Sequence, residues 1–226
     1  MGHSSFEITT DKLKILTDPY YYSFSAGKKR ELAPVKPEAV YDYITVSHEH
    51  FDHCDTQLID EIFSEQTKII TTPEAASQIG HPCHTLQVGV EYEDENIRVM
   101  AVRADHPQSQ NPLGLYLYLP ETVYFAGDTY LYPQMGDLEP PFLAFIPIGG
   151  EYTADPDTAS DIAALIRPQH IIPMHYNTWD VIKADPNKFA REVRNKAMAV
   201  KLHVLSPGQT IDLSPSAKPS VKPAVD

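Results

Sequence analysis

Ser47-His48-Glu49-His50-Phe51-Asp52-His53 places three histidines and one aspartate within the six positions from 48 to 53. On a helix, residues two apart point to nearly opposite sides, so His48 and His50 could not serve one ligand there. In an extended loop they can. Residues 43–46 just before the stretch form a short apolar run that reads as a buried strand. Leu58, Ile59, Ile62 and Phe63 after it follow helical spacing. The stretch is therefore expected to be a loop at a strand end, where α/β-type proteins place ligand sites. Neutral imidazole and carboxylate suit Zn²⁺, Fe or Mn²⁺. A merely solvated polar loop would not need this density of ligand-forming side chains.

Outward from this stretch, strand-like and helix-like segments alternate. Residues 6–9 and 13–16 read as a hairpin pair, and 68–71 as a strand. Thr72-Pro73-Glu74 supplies an N-cap, a first-turn proline and an acidic first turn, and so opens a helix. The middle is richer in strands, at 97–104, 114–119, 122–126 and 142–146. Asp155-Pro156 and Asp185-Pro186 each start a helix, and residues 169–174, 202–205 and 210–213 read as strands. This order fits two sheets packed face to face with helices outside, a four-layer αββα sandwich of the α/β (α+β) class. A doubly wound α/β fold has the same alternation, and periodicity does not separate the two.

The chain has 226 residues and a formal charge of −13. A chain this acidic is a poor general binder of nucleic acid, because phosphate affinity rests on Lys and Arg. It has no apolar run of about 18 residues, so no membrane span is expected. The start, Met-Gly-His-Ser-Ser-Phe-Glu-Ile, lacks the basic flank and apolar run of a signal peptide. Two cysteines, Cys54 and Cys83, make no disulfide framework. The expected setting is cytoplasmic, with a small-molecule partner, no nucleic acid and no membrane; self-association into a homo-oligomer is left open. Residues 214–226 carry three prolines and three serines and read as a disordered tail behind one domain at 1–213.

The motif H-x-H-x-D-H resembles the metal-binding motif of the metallo-β-lactamase superfamily. Further pieces resemble motifs of one branch of that superfamily, uncharacterised bacterial and archaeal metal-dependent hydrolases similar to L-ascorbate-6-phosphate lactonase. They are Gly2-His3-Ser4-Ser5-Phe6, Asn111-Pro112-Leu113-Gly114, Ala126-Gly127-Asp128-Thr129, Pro147-Ile148-Gly149-Gly150 and Pro173-Met174-His175-Tyr176-Asn177-Thr178. The resemblance implies the αββα sandwich and two divalent metal ions per chain, with Zn²⁺ expected and Mn²⁺ or Fe²⁺ as alternatives. It assigns His48, His50 and His106 to one ion, Asp52, His53 and His175 to the other, and Asp128 as a bridge. The four segments that carry these ligands, the His48–His53 loop, His106, Asp128 and His175, each follow an expected strand, and that context supports the motif.

The activity so implied is hydrolysis, in which a hydroxide carried by the metal pair attacks an ester, lactone or phosphoester bond of a small anionic substrate. Asp52 and Asp128 would then be catalytic as well as ligands. His3, Tyr176 and Asn177 are expected to touch substrate. Gly149-Gly150 reads either as a turn or as a backbone approach to a bound anion. Cys54 is expected to pack, His81-Pro82-Cys83-His84 to form a surface turn, and His170 and His203 to be structural. Tyr20-Tyr21-Tyr22 with Phe24 could wall a pocket or cover the sheet. Three other readings compete with it. Iron-bearing redox relatives typically carry a carboxylate where His50 stands. A phosphodiesterase or nuclease of the same fold meets the −13 charge. A metal-binding scaffold usually shows broken ligands, and here none of the seven is missing.

Overall fold

In the computed structural model, residues 1–22, 34–37, 40–196, 199–214 and 221–222 are described. The first half is built from β1 (Phe6–Thr9), β2 (Lys14–Thr17), β3 (Tyr43–Thr45), α1 (Thr56–Ile62), β4 (Lys68–Thr71), α2 (Pro73–Ala76) and β5 (Cys83–Thr85). The second half holds β6 (Glu91–Glu93), β7 (Arg98–Arg103), β8 (Leu113–Tyr118), β9 (Thr122–Phe125), β10 (Leu143–Pro147), α3 (Pro156–Ile166), β11 (His170–Met174), α4 (Pro186–Asn195) and β12 (Lys201–Leu202). A two-residue pair, β13 (Thr210–Ile211) with β14 (Val221–Lys222), lies apart. Of the stretch expected to be a tail, only Ser214 and that short strand are described; the rest of it, and Phe24 of the tyrosine cluster, lie outside the described residues.

Five strands form one sheet in the order β1-β2-β3-β4-β5, and seven form the other in the order β12-β11-β10-β9-β8-β7-β6. The β1–β2 hairpin is antiparallel, and β2 through β5 run parallel. In the larger sheet β6 to β9 form an antiparallel meander, while β9 to β12 run parallel.

The period-2 geometry of a strand explains how the first sheet is covered. Ile15, Tyr43 and Ile70 join a core cluster with Val99, Leu115, Leu117 and Phe125 of the other sheet. Their chain neighbours Leu16, Ile44 and Ile69 instead pack with Leu58, Ile59, Ile62, Ala75 and Ile79 from the α1 and α2 region. One face thus meets the second sheet and the other meets helices. On the far side, α3 and α4 add Ile162, Ile166, Phe189 and Val193 to the larger core. This is the αββα sandwich; the doubly wound alternative would have put helices on both faces of a single sheet. Cys54 is buried in the cluster under α1, so it packs as expected.

The helix starts are set by caps. Asp55 accepts from Leu58 N at the head of α1, Thr72 from Ala75 N at α2, and Asp155 forms a reciprocal capping box with Thr158 at α3. Each fully buried Leu or Ile on these faces stabilises the fold by about 1.5–3 kcal/mol. A missing cap costs about 0.5–2 kcal/mol. Arg167 ends α3 in the left-handed conformation, with its N–H on Ala163 O. Among the described residues, no helix is long and apolar enough to cross a membrane.

Candidate metal centre

The parallel strands point their C-terminal ends to one rim of the sandwich, and the candidate ligands leave from there. The Ser47–His53 loop follows β3, His106 follows β7, Asp128 follows β9 and His175 follows β11. Asp18 follows β2 directly. Left-handed backbone is concentrated here. Asp18, His175 and Asn177 have φ of 37°, 55° and 56°, and Gly127 has φ 60°. At Gly127 a side chain would also strike Leu113 O at 2.6 Å, so glycine is required for the exit from β9. Non-glycine residues held at positive φ gather at functional sites.

The candidate ligand atoms fall into groups, each with its atoms within 4.8 Å of one another: His48, His50 and His106; His3, Asp52, His53 and His175; and Asp18, His48 and His53. In the first, His50 Nδ1 lies 3.0 Å from His48 Nε2 and 3.3 Å from His106 Nε2. Zn–N bonds of about 2.0–2.1 Å in a tetrahedral site put neighbouring nitrogens roughly 3.3 Å apart.

The outer ring nitrogens show which inner ones are lone pairs. His50 Nε2 faces Gln108 O at 3.2 Å and His106 Nδ1 faces Tyr152 O at 3.2 Å. A carbonyl only accepts, so both outer nitrogens carry the proton. His50 Nδ1 and His106 Nε2 are then two lone pairs facing each other. No hydrogen bond joins two acceptors, and a cation between them satisfies both.

The second group is arranged around carboxylates. Asp128 sends Oδ1 toward His53 Nε2 at 3.4 Å and Oδ2 toward His175 Nε2 at 3.1 Å and His106 Nε2 at 4.0 Å. It therefore reaches both groups. Asp52 Oδ2 lies 3.8 Å from His175 Nε2 and 3.9 Å from His53 Nε2. His53 Nε2 and Asp128 Oδ1 are buried 3.4 Å apart, and neither makes a well-aligned hydrogen bond among the described residues. Polar atoms so incompletely satisfied at this depth are costly, and a bound ion would remove that cost. The donor set of imidazoles and carboxylates fits a divalent transition metal at both positions.

Residues that no motif reading singled out fix these rings. Asp18 accepts from His53 Nδ1–H at 2.6 Å, from Ser47 N at 2.7 Å and from Ser47 Oγ–H at 2.7 Å. Ser47 Oγ in turn lies 2.9 Å from His48 Nδ1. One buried carboxylate thus orients a ring in each group, His53 directly and His48 through Ser47. Burial pushes the Asp18 carboxyl up from its ordinary value.

Electrostatics divide the site. Burial, and then the neighbouring His53, His50 and His106, holds His48 well below the ordinary histidine range against the pull of Asp128. Burial likewise lowers His106. Burial would also lower His53 and His175, but the carboxylates outweigh it. Asp128, Asp52 and Asp18 raise His53 well above its usual range, and Asp128 with Asp52 brings His175 to about 9. Burial would raise Asp52 and Asp128, yet the surrounding histidines hold both well below the carboxylate range.

The remaining expected site residues lie as follows. His3 is buried, with its ring between Asp52 and Thr178. Tyr176 is half-buried against the core, and burial raises its phenol. Asn177 turns the chain: its Oδ1 accepts from Ala184 N and its N–H goes to Ile182 O. Gly150 also shapes a turn, at φ 67° with its N–H on Ala154 O, while Gly149 packs against His175 O. The His81-to-His84 stretch is not wholly a turn, since Cys83 and His84 lie in the edge strand β5. His81 pairs with Asp60 and stacks on Phe63. His170 and His203 stack on each other, with ring nitrogens 2.8 Å apart, on β11 and just past β12. Tyr20 packs near His3, Phe51 and Trp179 beside the second group.

The Beta-lactamase superfamily domain model matches residues 1–175, which contain all seven expected ligands. The chain belongs to the metallo-β-lactamase superfamily. Within the superfamily it is similar to a UPF0173 metal-dependent hydrolase of Hyperthermus butylicus, 34% identical over 92% of this chain and 96% of the relative. A UPF0173 metal-dependent hydrolase of Methanosarcina barkeri is 35% identical over 94% of this chain and 96% of its own length. Among solved structures, Igni18, a metallo hydrolase from the archaeon Ignicoccus hospitalis, superposes with a TM-score of 0.76 at 26% identity, covering 98% of this chain and 96% of that one. Its similarity to these relatives along nearly the whole chain places it among the metal-dependent hydrolases of the superfamily, with a His/Asp cluster able to hold metal.

Proposed function

We propose that this metal-dependent hydrolase works with two divalent ions and cleaves the ester or lactone bond of a small anionic molecule. The observation that carries the two-ion part is the convergence of unpaired donor atoms. Two histidine lone pairs meet 3.3 Å apart in one group, and His53 Nε2 and Asp128 Oδ1, buried 3.4 Å apart without a well-aligned hydrogen bond, mark the other. In this reading His48, His50 and His106 hold one ion, Asp52, His53 and His175 the second, and Asp128 both. Zn²⁺ is the expected metal on the affinity order, with Mn²⁺ and Fe²⁺ as alternatives. Two such ions lower the pKa of bound water toward roughly 7 and polarise a substrate oxygen.

The chain's own residues do the rest. Asp52, held ionised by its histidine neighbours, is an acceptor that orients the attacking water. Asp18 keeps His53 in the Nδ1–H tautomer, and the carbonyls of Gln108 and Tyr152 keep His50 and His106 in theirs. The −13 charge opposes polyanionic polymers, whereas a small anion meets mainly the local charge of the ion pair. The motif resemblance to a sugar-phosphate lactonase supports the same class by analogy. A cytoplasmic setting fits this substrate class.

The test is a hydrolysis screen of the Zn²⁺- and Mn²⁺-loaded protein. Turnover of a phosphorylated lactone above that of bis-aryl phosphodiesters, amides and RNA is the expected outcome. Preferred cleavage of RNA or a phospholipid overturns the substrate assignment.

A further inference from the structure

His3 enters the site from the start of the chain, far in sequence from everything it touches. Its side chain is 1% exposed. Nε2 lies 3.2 Å from Asp52 Oδ2 and Nδ1 lies 2.8 Å from Thr178 Oγ1. Both ring nitrogens are therefore engaged by protein atoms. The ring sits 4.1 Å from His175, 5.1 Å from Trp179 and 5.3 Å from Tyr20, centroid to centroid. These neighbours leave it little room to rotate. The backbone is equally committed. His3 has φ 59°, His175 has φ 55°, and His175 N–H donates to His3 O at 3.2 Å. Two left-handed, non-glycine residues thus brace each other across the chain. Such strain persists only where surrounding contacts determine it.

We propose that His3 is a positioning residue for the second metal position, holding Asp52 through Nε2–H while Thr178 fixes its tautomer. An ionised carboxylate only accepts, so the nitrogen facing Asp52 must carry the proton. In a neutral ring Nδ1 is then the acceptor, and Thr178 Oγ1–H is its donor. Asp52 would use its remaining acceptor capacity toward the ion. This arrangement removes His3 from direct substrate contact and makes it an outer partner of a ligand. It also ties the His175 backbone to the first turn of the chain. The inference rests on the two-ion reading above.

The experiment compares wild type with His3→Ala, His3→Gln and Thr178→Val by stepwise Zn²⁺ and Co²⁺ titration of metal-free protein. Ion binding, Co²⁺ visible spectra and circular dichroism are read on each, with no substrate present. Gln can place an N–H donor where Nε2–H was. The expected result is a roughly 10–100-fold loss of affinity for the second ion in His3→Ala, the range typical of outer-shell partners. The first ion and the fold are unchanged, and His3→Gln recovers most of the loss with a wild-type Co²⁺ spectrum. Thr178→Val should fall between, because it frees the tautomer. A His3→Ala chain that binds both ions as wild type does overturns the proposal. So does a His3→Gln chain as weak as His3→Ala with an altered Co²⁺ spectrum, which would make His3 itself a ligand. If His3→Ala does not fold, His3→Gln and Thr178→Val decide the matter. A wild-type chain that takes up only one ion counts against the two-ion reading instead.

Discussion

His53 donates its Nδ1–H to Asp18 Oδ2 at 2.6 Å, and neither side chain is exposed to solvent. Asp18 also takes two hydrogen bonds from Ser47, so one carboxylate sets a ring on each side of the centre. Asp18→Asn should therefore weaken both ion positions, by roughly 10–100-fold in affinity. An amide nitrogen turned toward His53 Nδ1 would be a donor facing a donor. Competition with a coloured chelator measures the effect. A variant that keeps wild-type affinity at both positions would show that the rings hold their tautomers without Asp18.

The ligand assignment makes a second prediction. Asp128→Asn and His48→Ala should lower hydrolysis by roughly 100-fold or more, since several kcal/mol of charge stabilisation depend on the ions. The ligands leave from separate strand ends, so neither change should unfold the domain. His81→Ala and His84→Ala are the controls. His81 is engaged with Asp60 and Phe63, and His84 beside Tyr92, so both variants should keep activity. Equal inactivation by the controls, with His106→Ala tolerated, would overturn the assignment. Elemental analysis should find about two ions per wild-type chain.

Much of this was legible in the sequence, and what escaped has physical reasons. The metal-binding loop declared itself because His48 and His50 are incompatible with one helix face. The hairpin β1–β2 and the caps at Thr72, Asp155 and Asp185 follow from local rules and appear within a residue or so of expectation. The edge strands β5 and β6 did not. Cys83-His84-Thr85 and Glu91-Tyr92-Glu93 carry no buried apolar alternation, because edge strands are half-solvated. The positioning roles of Asp18, Ser47 and Thr178 escaped for another reason. Their importance lies in contacts spanning up to 175 positions, and a lone Asp or Ser gives no local signal of such a partner. Asp18 offered one hint, an acidic residue directly after a strand and before Pro19. Asn177 has a local role that its position next to a ligand did not signal: its carboxamide oxygen accepts from Ala184 N and closes a turn.

The uneven electrostatics predict how ion uptake depends on pH. In the metal-free chain His48 and His106 lie below the ordinary histidine range, so near pH 7 they are already neutral. His53 lies well above that range and His175 at about 9, so these rings hold protons there. An ion must displace those protons. Affinity at the second position should therefore climb from pH 6 to about pH 9, while the first changes less. A histidine pKa raised on folding stabilises fully below its unfolded value of about 6.5 and loses that contribution as pH rises through about 9. Calorimetric titration in two buffers of different ionisation enthalpy measures the protons released. Equal release at both steps would contradict the division.

Gly149 yields the most local prediction. A Cβ built there would stand 2.2 Å from His175 O and 3.1 Å from Ile182 Cβ. The first neighbour is backbone, which cannot swing aside as a flexible side chain does. It belongs to the residue that carries the last expected ligand and already holds φ 55°. Gly149→Ala must therefore move either the end of β10 or the His175 turn. Overpacking of this kind costs typically about 1–3 kcal/mol. In a chain of this size that is a fall in Tm of roughly 2–12 °C. Gly136→Ala is the matched control, because its Cβ would meet only Leu165 Cδ2 at 3.6 Å, an ordinary contact. The variant should also bind the second ion more weakly while holding the first, since the clash bears on His175 and not on His48, His50 or His106. Differential scanning calorimetry of the metal-free forms separates the stability effect, and stepwise Zn²⁺ titration the positional one. A Gly149→Ala chain with the Tm and both affinities of wild type would mean that the β10 exit and the His175 turn are looser than their contact implies.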